Sequence, residues 1–126
     1  MVNWAIENAL GGELFIPKIP SYRITEVAEA IGPECQKPIV GIRPGEKIHE
    51  EMITASDILT TVDLGPYYAI LPSDGRLLER YQSSGRSFSS VEQGFAYNSG
   101  RNPEFLSVEQ LRELIRKHVD PEFVPI

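Results

Sequence analysis

IVGIRPGEKIHEEMI, residues 39–53, is the stretch whose reading decides the fold. Ile39-Val40-Gly41-Ile42 is a short apolar run of the kind that fills a strand buried on both faces, and with Lys37 it predicts a strand over 37–42. Arg43-Pro44-Gly45 is a turn signal. Ile48, Met52 and Ile53 fall on one side of a helix, which predicts a short helix over 46–53. Strand, turn and helix in that order put Arg43 at the carboxyl end of a strand, where α/β sheets bind ligands. The helix N-terminus would direct its amides at the same spot. A guanidinium there matches a diphosphate as a two-pronged fork, and Glu46 could accept from ribose hydroxyls. Lys37 and Lys47 flank it, so a small anion could be held with only Glu46 opposing. The other reading is an exposed turn in which Arg43 pairs with Glu46 or Glu50. Spacing alone leaves both open.

Working outward, Trp4, Ala5, Ala9 and Leu10 fall at helical spacing, and Gly11-Gly12 supplies a stop. Met1 sits almost inside that pattern with no capping residue before it, so the expectation is a first helix over 2–10 that is cut at its start. Glu13 to Lys18 predicts a strand ended by Pro17 and Pro20. Thr25 is expected to cap a helix running through Val27, Ala28 and Ile31 to Gly32-Pro33. Downstream, Thr60–Leu64 and Tyr67–Leu71 predict a hairpin across Gly65-Pro66. Residues 73–94 are rich in Ser, Gly and Arg and predict a long loop with one helical turn around Leu77 to Tyr81. Ser107 and Gln110 form a capping box for a last helix whose buried stripe is Val108, Leu111, Leu114 and Ile115. Alternating strands and helices indicate an α/β architecture in one domain, residues 1–126.

The charge balance narrows the function. Twelve Lys+Arg against 18 Asp+Glu give −6 overall, which argues against nonspecific nucleic-acid binding. The deficit lies in the second half: residues 1–49 carry five basic and six acidic residues, residues 50–126 seven and twelve. The single cysteine, Cys35, excludes an internal disulfide and suggests a reducing, cytoplasmic setting. No apolar run approaches the length of a membrane span, roughly 18 residues.

Absent motifs are equally informative. No glycine fingerprint opens a strand–helix unit, so no dinucleotide site is encoded. Gly41 to Lys47 falls one residue short of phosphate-loop spacing and lacks the Ser or Thr that should follow the lysine. There is no Tyr-x-x-x-Lys pair, and His49 and His118 have no partners at metal-ligand spacing. Lys18 either faces a ligand or solvates a strand end. Tyr22, Tyr67, Tyr68 and Tyr97 read as core or edge aromatics.

Three segments, GGELFIPKIPSYRITEVAEAI (11–31), IVGIRPGEKIHEEMI (39–53) and YNSGRNPEFLSVEQLRELI (97–115), resemble the C-terminal third of the inverting UDP-N-acetylglucosamine 4,6-dehydratases. These are extended short-chain dehydrogenase/reductases of pseudaminic-acid and surface-polysaccharide synthesis. The resemblance runs from Trp4 to Val119, and residues 76–93 match nothing in it. It implies a C-terminal substrate-binding lobe lacking the Rossmann cofactor domain. NADP, the Thr/Asp/Lys dehydration group and the Tyr/Lys pair belong to the family's N-terminal portion, so no catalytic and no cofactor-binding residue carries over. What carries over is the Arg-Pro-Gly-acid element. The resemblance implies that Arg43 contacts the diphosphate of a UDP-sugar and Glu46 its uridine, with Lys47 and Lys18 as further substrate-binding candidates. The expectation is a chain inactive alone, or else a stand-alone UDP-sugar-binding or oligomerisation module. Its expected partners are a UDP-sugar and a second copy or a related dehydratase chain, with no nucleic acid and no membrane.

Overall fold

The computed structural model describes residues 1–126 as two compact units, Met1–Ile19 with Glu51–Asn98 and Pro20–Glu50 with Ser99–Ile126. In chain order the elements are α1 (Val2–Asn8), β1 (Leu14–Pro17), α2 (Ile24–Ile31), β2 (Glu51–Ile53), β3 (Thr61–Asp63), β4 (Tyr67–Ile70), α3 (Arg76–Ser83), β5 (Ser89–Ser90), β6 (Tyr97–Asn98) and α4 (Val108–His118). A 3-10 turn, Ile58–Thr60, leads into β3.

The first unit is built on the predicted hairpin. β3 and β4 pair antiparallel, and the turn between them needs Gly65, whose φ of +90° is open to glycine without strain. Asp63 steadies that turn by accepting from the Gly65 N–H at 2.8 Å. β1 joins the free edge of β4 and β5 that of β3, giving the order β1-β4-β3-β5. Because side chains alternate along a strand, register decides which residues share a face. Phe15, Ala69 and Val62 lie abreast and pack against Leu77 and Tyr81, which stand four residues apart on α3. Ile16 and Tyr68 lie abreast on the opposite face and meet Ile53 and Tyr97 from the small β2–β6 sheet. The four-stranded sheet is therefore covered on both sides. α1 closes one end by setting Trp4 5.2 Å from Phe15 and 4.4 Å from Tyr67, ring centre to ring centre.

The second unit rests on α2 and α4. α4 starts on the predicted capping box: the Gln110 N–H donates to Ser107 Oγ at 3.3 Å and the Ser107 N–H to Gln110 Oε1 at 2.8 Å. Arg112 on α4 donates from Nε to the Ala30 carbonyl and from Nη2 to the Glu29 carbonyl, each at 3.1 Å. A cation thus satisfies the last carbonyls of α2, which have no partners within their own helix.

Several expectations need correction. The expected α/β class stands, and every strand pair in it is antiparallel; the corrections concern single elements. Residues 37–42 form no strand: Ile39 is 99% and Val40 92% exposed, because nothing in this unit offers a ladder to a strand there. Residues 46–53 form no helix. Residues 46–50 have no regular structure, and Glu51–Ile53 is β2, paired with β6. α1 ends at Asn8 rather than residue 10, and α2 is capped at Arg23, with Thr25 inside the helix. The 73–94 segment carries the two-turn helix α3 and strand β5. Of the stripe expected on α4, only Leu111 is buried.

Candidate functional site

Arg43, Pro44, Gly45 and Glu46 make a tight turn. The Glu46 N–H donates to the Arg43 carbonyl at 3.1 Å, and Gly45 takes a φ of +85°. Proline in second place and a left-handed glycine in third are the chemistry of a type II turn. The Glu46 carboxylate folds back over it: Oε2 accepts from the Arg43 N–H at 2.8 Å and Oε1 lies 3.3 Å from Arg43 Nε. The Arg43 side chain is otherwise 87% exposed. The geometry expected for it, at a strand end and facing a helix N-terminus, is not present, since neither flanking element forms. What remains is a hydrogen-bonded turn that presents a guanidinium and a carboxylate side by side in water.

The other sequence candidates distribute themselves differently. Lys47 follows Glu46 directly and is exposed. Lys37 is drawn away from the turn, donating to Glu29 Oε2 at 2.9 Å and to the Pro33 carbonyl at 3.1 Å. Lys18 belongs to the first unit, where its Nζ donates to both carboxylate oxygens of Asp63, at 2.7 and 2.8 Å, and lies 4.5 Å over the Tyr68 ring. Burial pushes the Tyr68 hydroxyl up; Lys18 works against the shift, and Asp63 and Tyr97 add to it. Tyr97 is a core residue, as its sequence context suggests. Its hydroxyl accepts from the Ile19 N–H at 2.7 Å and lies within donating distance of the Ile19 and Pro17 carbonyls.

Two groups escaped the sequence reading. The sequence presents Glu13 only as the first residue of a strand. Its Oε1 takes the Leu10 N–H at 2.5 Å and the Tyr81 hydroxyl at 3.2 Å. Burial acts to raise its carboxyl, but hydrogen bonds from Leu10, its own N–H, Tyr81 and Gly11 outweigh it and hold the carboxyl low. Ser99 and Gly100 stand out in the sequence only through Asn-Ser-Gly, which signals that the chain turns there.

A cavity of about 430 Å³ opens beside β3, lined by Ile58, Leu59, Val62, Leu71, Leu78 and Val91 together with uncharged polar residues. With no charged side chain on its walls, it does not suit a diphosphate. No cluster of three or more His, Cys, Asp or Glu side chains could hold a metal ion. No helix is long and apolar enough to cross a membrane.

Comparison with known proteins gives the following. The family described as "Polysaccharide biosynthesis protein" matches residues 1–72. A UDP-N-acetylglucosamine 4,6-dehydratase (inverting) of Campylobacter jejuni subsp. jejuni serotype O:23/36 is 42% identical over 113 residues, which is 86% of this chain and 34% of that protein. A UDP-glucose 4-epimerase of Rickettsia felis is 31% identical over 121 residues, 91% of this chain and 34% of the epimerase. Among solved structures, Pen from Bacillus thuringiensis superposes with a TM-score of 0.67 at 28% identity, covering 90% of this chain and 33% of Pen. The chain spans about a third of the length of the curated relatives it matches.

Proposed function

Because the chain belongs to the polysaccharide biosynthesis protein family, we propose that it is the nucleotide-sugar-binding portion of a UDP-N-acetylglucosamine 4,6-dehydratase (C5-inverting) of surface-glycan synthesis. The observation that carries this reading is the 42% identity to an inverting dehydratase over 86% of this chain, and the Arg43–Glu46 turn is where the reading places the ligand. The names of the two relatives lend it weight. A dehydratase and an epimerase carry out different reactions, but both names begin with a UDP-sugar. The segment common to both is therefore better assigned to the UDP part of the ligand than to chemistry on the sugar.

In this reading Arg43 turns its fork to the diphosphate, and the Glu46 carboxylate accepts from a ribose hydroxyl. Lys47 adds a second positive charge. Lys18 belongs to the other unit, where Asp63 already accepts from its ammonium, and is given no part at this turn. The hydride chemistry of such a dehydratase rests on NADP, and the residues here do not fit that cofactor. A dinucleotide crevice is built on parallel strands with glycines opening a helix, whereas every strand pair in this chain is antiparallel. The activity assigned to the chain is binding, and turnover is not expected from it alone.

Titration with UDP, followed by NMR shifts of the backbone amides, tests the reading. Shifts should cluster between Gly41 and Lys47 and weaken as salt is raised. Arg43→Ala should cost about 1.5–3 kcal/mol of binding, the range for a charge-assisted hydrogen-bonded contact. Arg43→Lys should recover only part of it, because an ammonium does not reproduce the planar fork. An unchanged titration in Arg43→Ala would return the element to a surface turn.

A further inference from the structure

We propose that Ser99 and Gly100 are positioning residues for the Arg43–Glu46 turn, acting through a clasp on His49 and Glu50; the proposal rests on the reading that this turn binds UDP. The clasp joins two segments far apart in sequence. The Glu50 N–H donates to Ser99 Oγ at 3.0 Å, and the Ser99 N–H returns a bond to the Glu50 carbonyl at 2.9 Å. One residue further along each strand of this exchange, the His49 imidazole lies on Gly100. A Cβ placed on Gly100 would stand 2.8 Å from Cγ, Cδ2 and Cε1 of the ring alike. Three equal distances mean that the face of the ring covers the Gly100 α-carbon, so any side chain there must displace the imidazole.

The location of the clasp gives it its effect. Residues 46–50 have no helix or ladder of their own. Glu46 is three residues from His49, and three extended residues reach at most about 10 Å. Fixing His49 and Glu50 therefore limits where the turn can go, although Arg43 itself is almost wholly in water. Confining a ligand-binding loop before the ligand arrives reduces the ordering that binding would otherwise require. The clasp supplies that confinement from two hydrogen bonds, one of them to the Ser99 hydroxyl, and a ring contact, with no residue touching the ligand.

The experiment uses the whole chain and two readouts, the amide shifts of residues 43–47 without ligand and the dissociation constant for UDP. Gly100→Ala should move those amide signals and weaken UDP binding about tenfold, the upper end of what losing one hydrogen-bonded contact produces. His49→Ala placed on top of Gly100→Ala removes the ring that the new methyl strikes, and should return both readouts to those of His49→Ala alone. Ser99→Ala, which strips the acceptor from Glu50 without adding bulk, should weaken UDP about three- to tenfold, and Ser99→Thr should restore it; this pair decides the matter if Gly100→Ala does not fold. Unmoved amides in Gly100→Ala and Ser99→Ala, or a double variant no better than Gly100→Ala, would overturn the clasp. If the amides respond as expected while UDP binding ignores Arg43→Ala, the ligand assignment fails and the clasp on the turn does not.

Discussion

Ile53 and Ile39 are the same residue type in one quoted stretch, yet the first is 1% exposed and the second 99%. Ile53 belongs to the unit in which a four-stranded sheet is covered on one face by α3 and on the other by the β2–β6 pair. Ile39 belongs to the unit of two helices and an irregular arm, where no strand edge is available to it. The contrast separates two things that a hydrophobic run conflates. An apolar, β-branched stretch can become a strand, but it becomes one only where another strand supplies its hydrogen bonds. The consequences divide by unit: core substitutions should be costly in the first, and capping or helix-end contacts should matter most in the second.

The largest effect is expected at Tyr81, which is fully buried between α3 and the sheet. Tyr81→Ala should destabilise by about 3–5 kcal/mol, as for other large aromatics removed from a core, and denaturant unfolding will measure it. The same residue makes a pH prediction. Burial first, then the Glu13 carboxylate, push its hydroxyl up to about 12. In the unfolded chain a tyrosine titrates near pH 10, approximately. A group whose folded value is the higher one stabilises fully below its unfolded value and ceases to as pH climbs through the folded one. Unfolding at pH 11 should therefore need less denaturant than at pH 9, and Tyr81→Phe should flatten that slope. A Tyr81→Ala cost below about 1 kcal/mol, the middle of the range for ordinary point substitutions, would break the comparison from its stronger side.

A middling effect is expected in the second unit, at Arg112. Its two bonds to the Ala30 and Glu29 carbonyls tie α4 to the end of α2. Arg112→Ala should cost about 1–2 kcal/mol, since these bonds involve a charged donor but stand partly in water. Arg112→Lys should restore part of it, an ammonium being unable to reach both carbonyls with a fixed fork. If Arg112→Ala costs as much as Tyr81→Ala, the helical unit is held more tightly than its exposed surface indicates.

How much of this was legible in the sequence follows the same division. The β3–β4 hairpin was readable because its signal is local: two apolar runs and a Gly-Pro between them. So was the α4 cap, where Ser107 and Gln110 carry the information within four residues. The helix expected over 46–53 failed because Ile48, Met52 and Ile53 fit a helical period by chance, while the partner that makes Glu51–Ile53 a strand lies at Tyr97–Asn98. No window around residue 50 contains that fact. At the candidate site the turn itself was legible, Pro44 and Gly45 being what a type II turn requires. Its setting was not, because the strand expected before it and the helix expected after it both depended on distant partners. The Arg43–Glu46 pairing was one of the two readings that spacing left open, and it is the arrangement observed here.

The smallest effect should come from the arm, and it sharpens the comparison most. Ile39→Ser and Val40→Ser remove apolar side chains that are 99% and 92% exposed. In the folded chain they lose almost no burial, so each should change stability by no more than about 0.5 kcal/mol, as surface substitutions generally do. Either sign is admissible, because exchanging an apolar for a polar side chain also acts on the unfolded ensemble. Ile53→Ala is the matched control: it deletes the same residue type from a site 1% exposed and should cost about 2–5 kcal/mol. Both measurements start from isoleucine and differ chiefly in what surrounds it. Should Ile39→Ser cost more than about 1 kcal/mol, well beyond the surface range, residues 39–42 are packed in solution, and the strand expected from IVGI has found a partner after all.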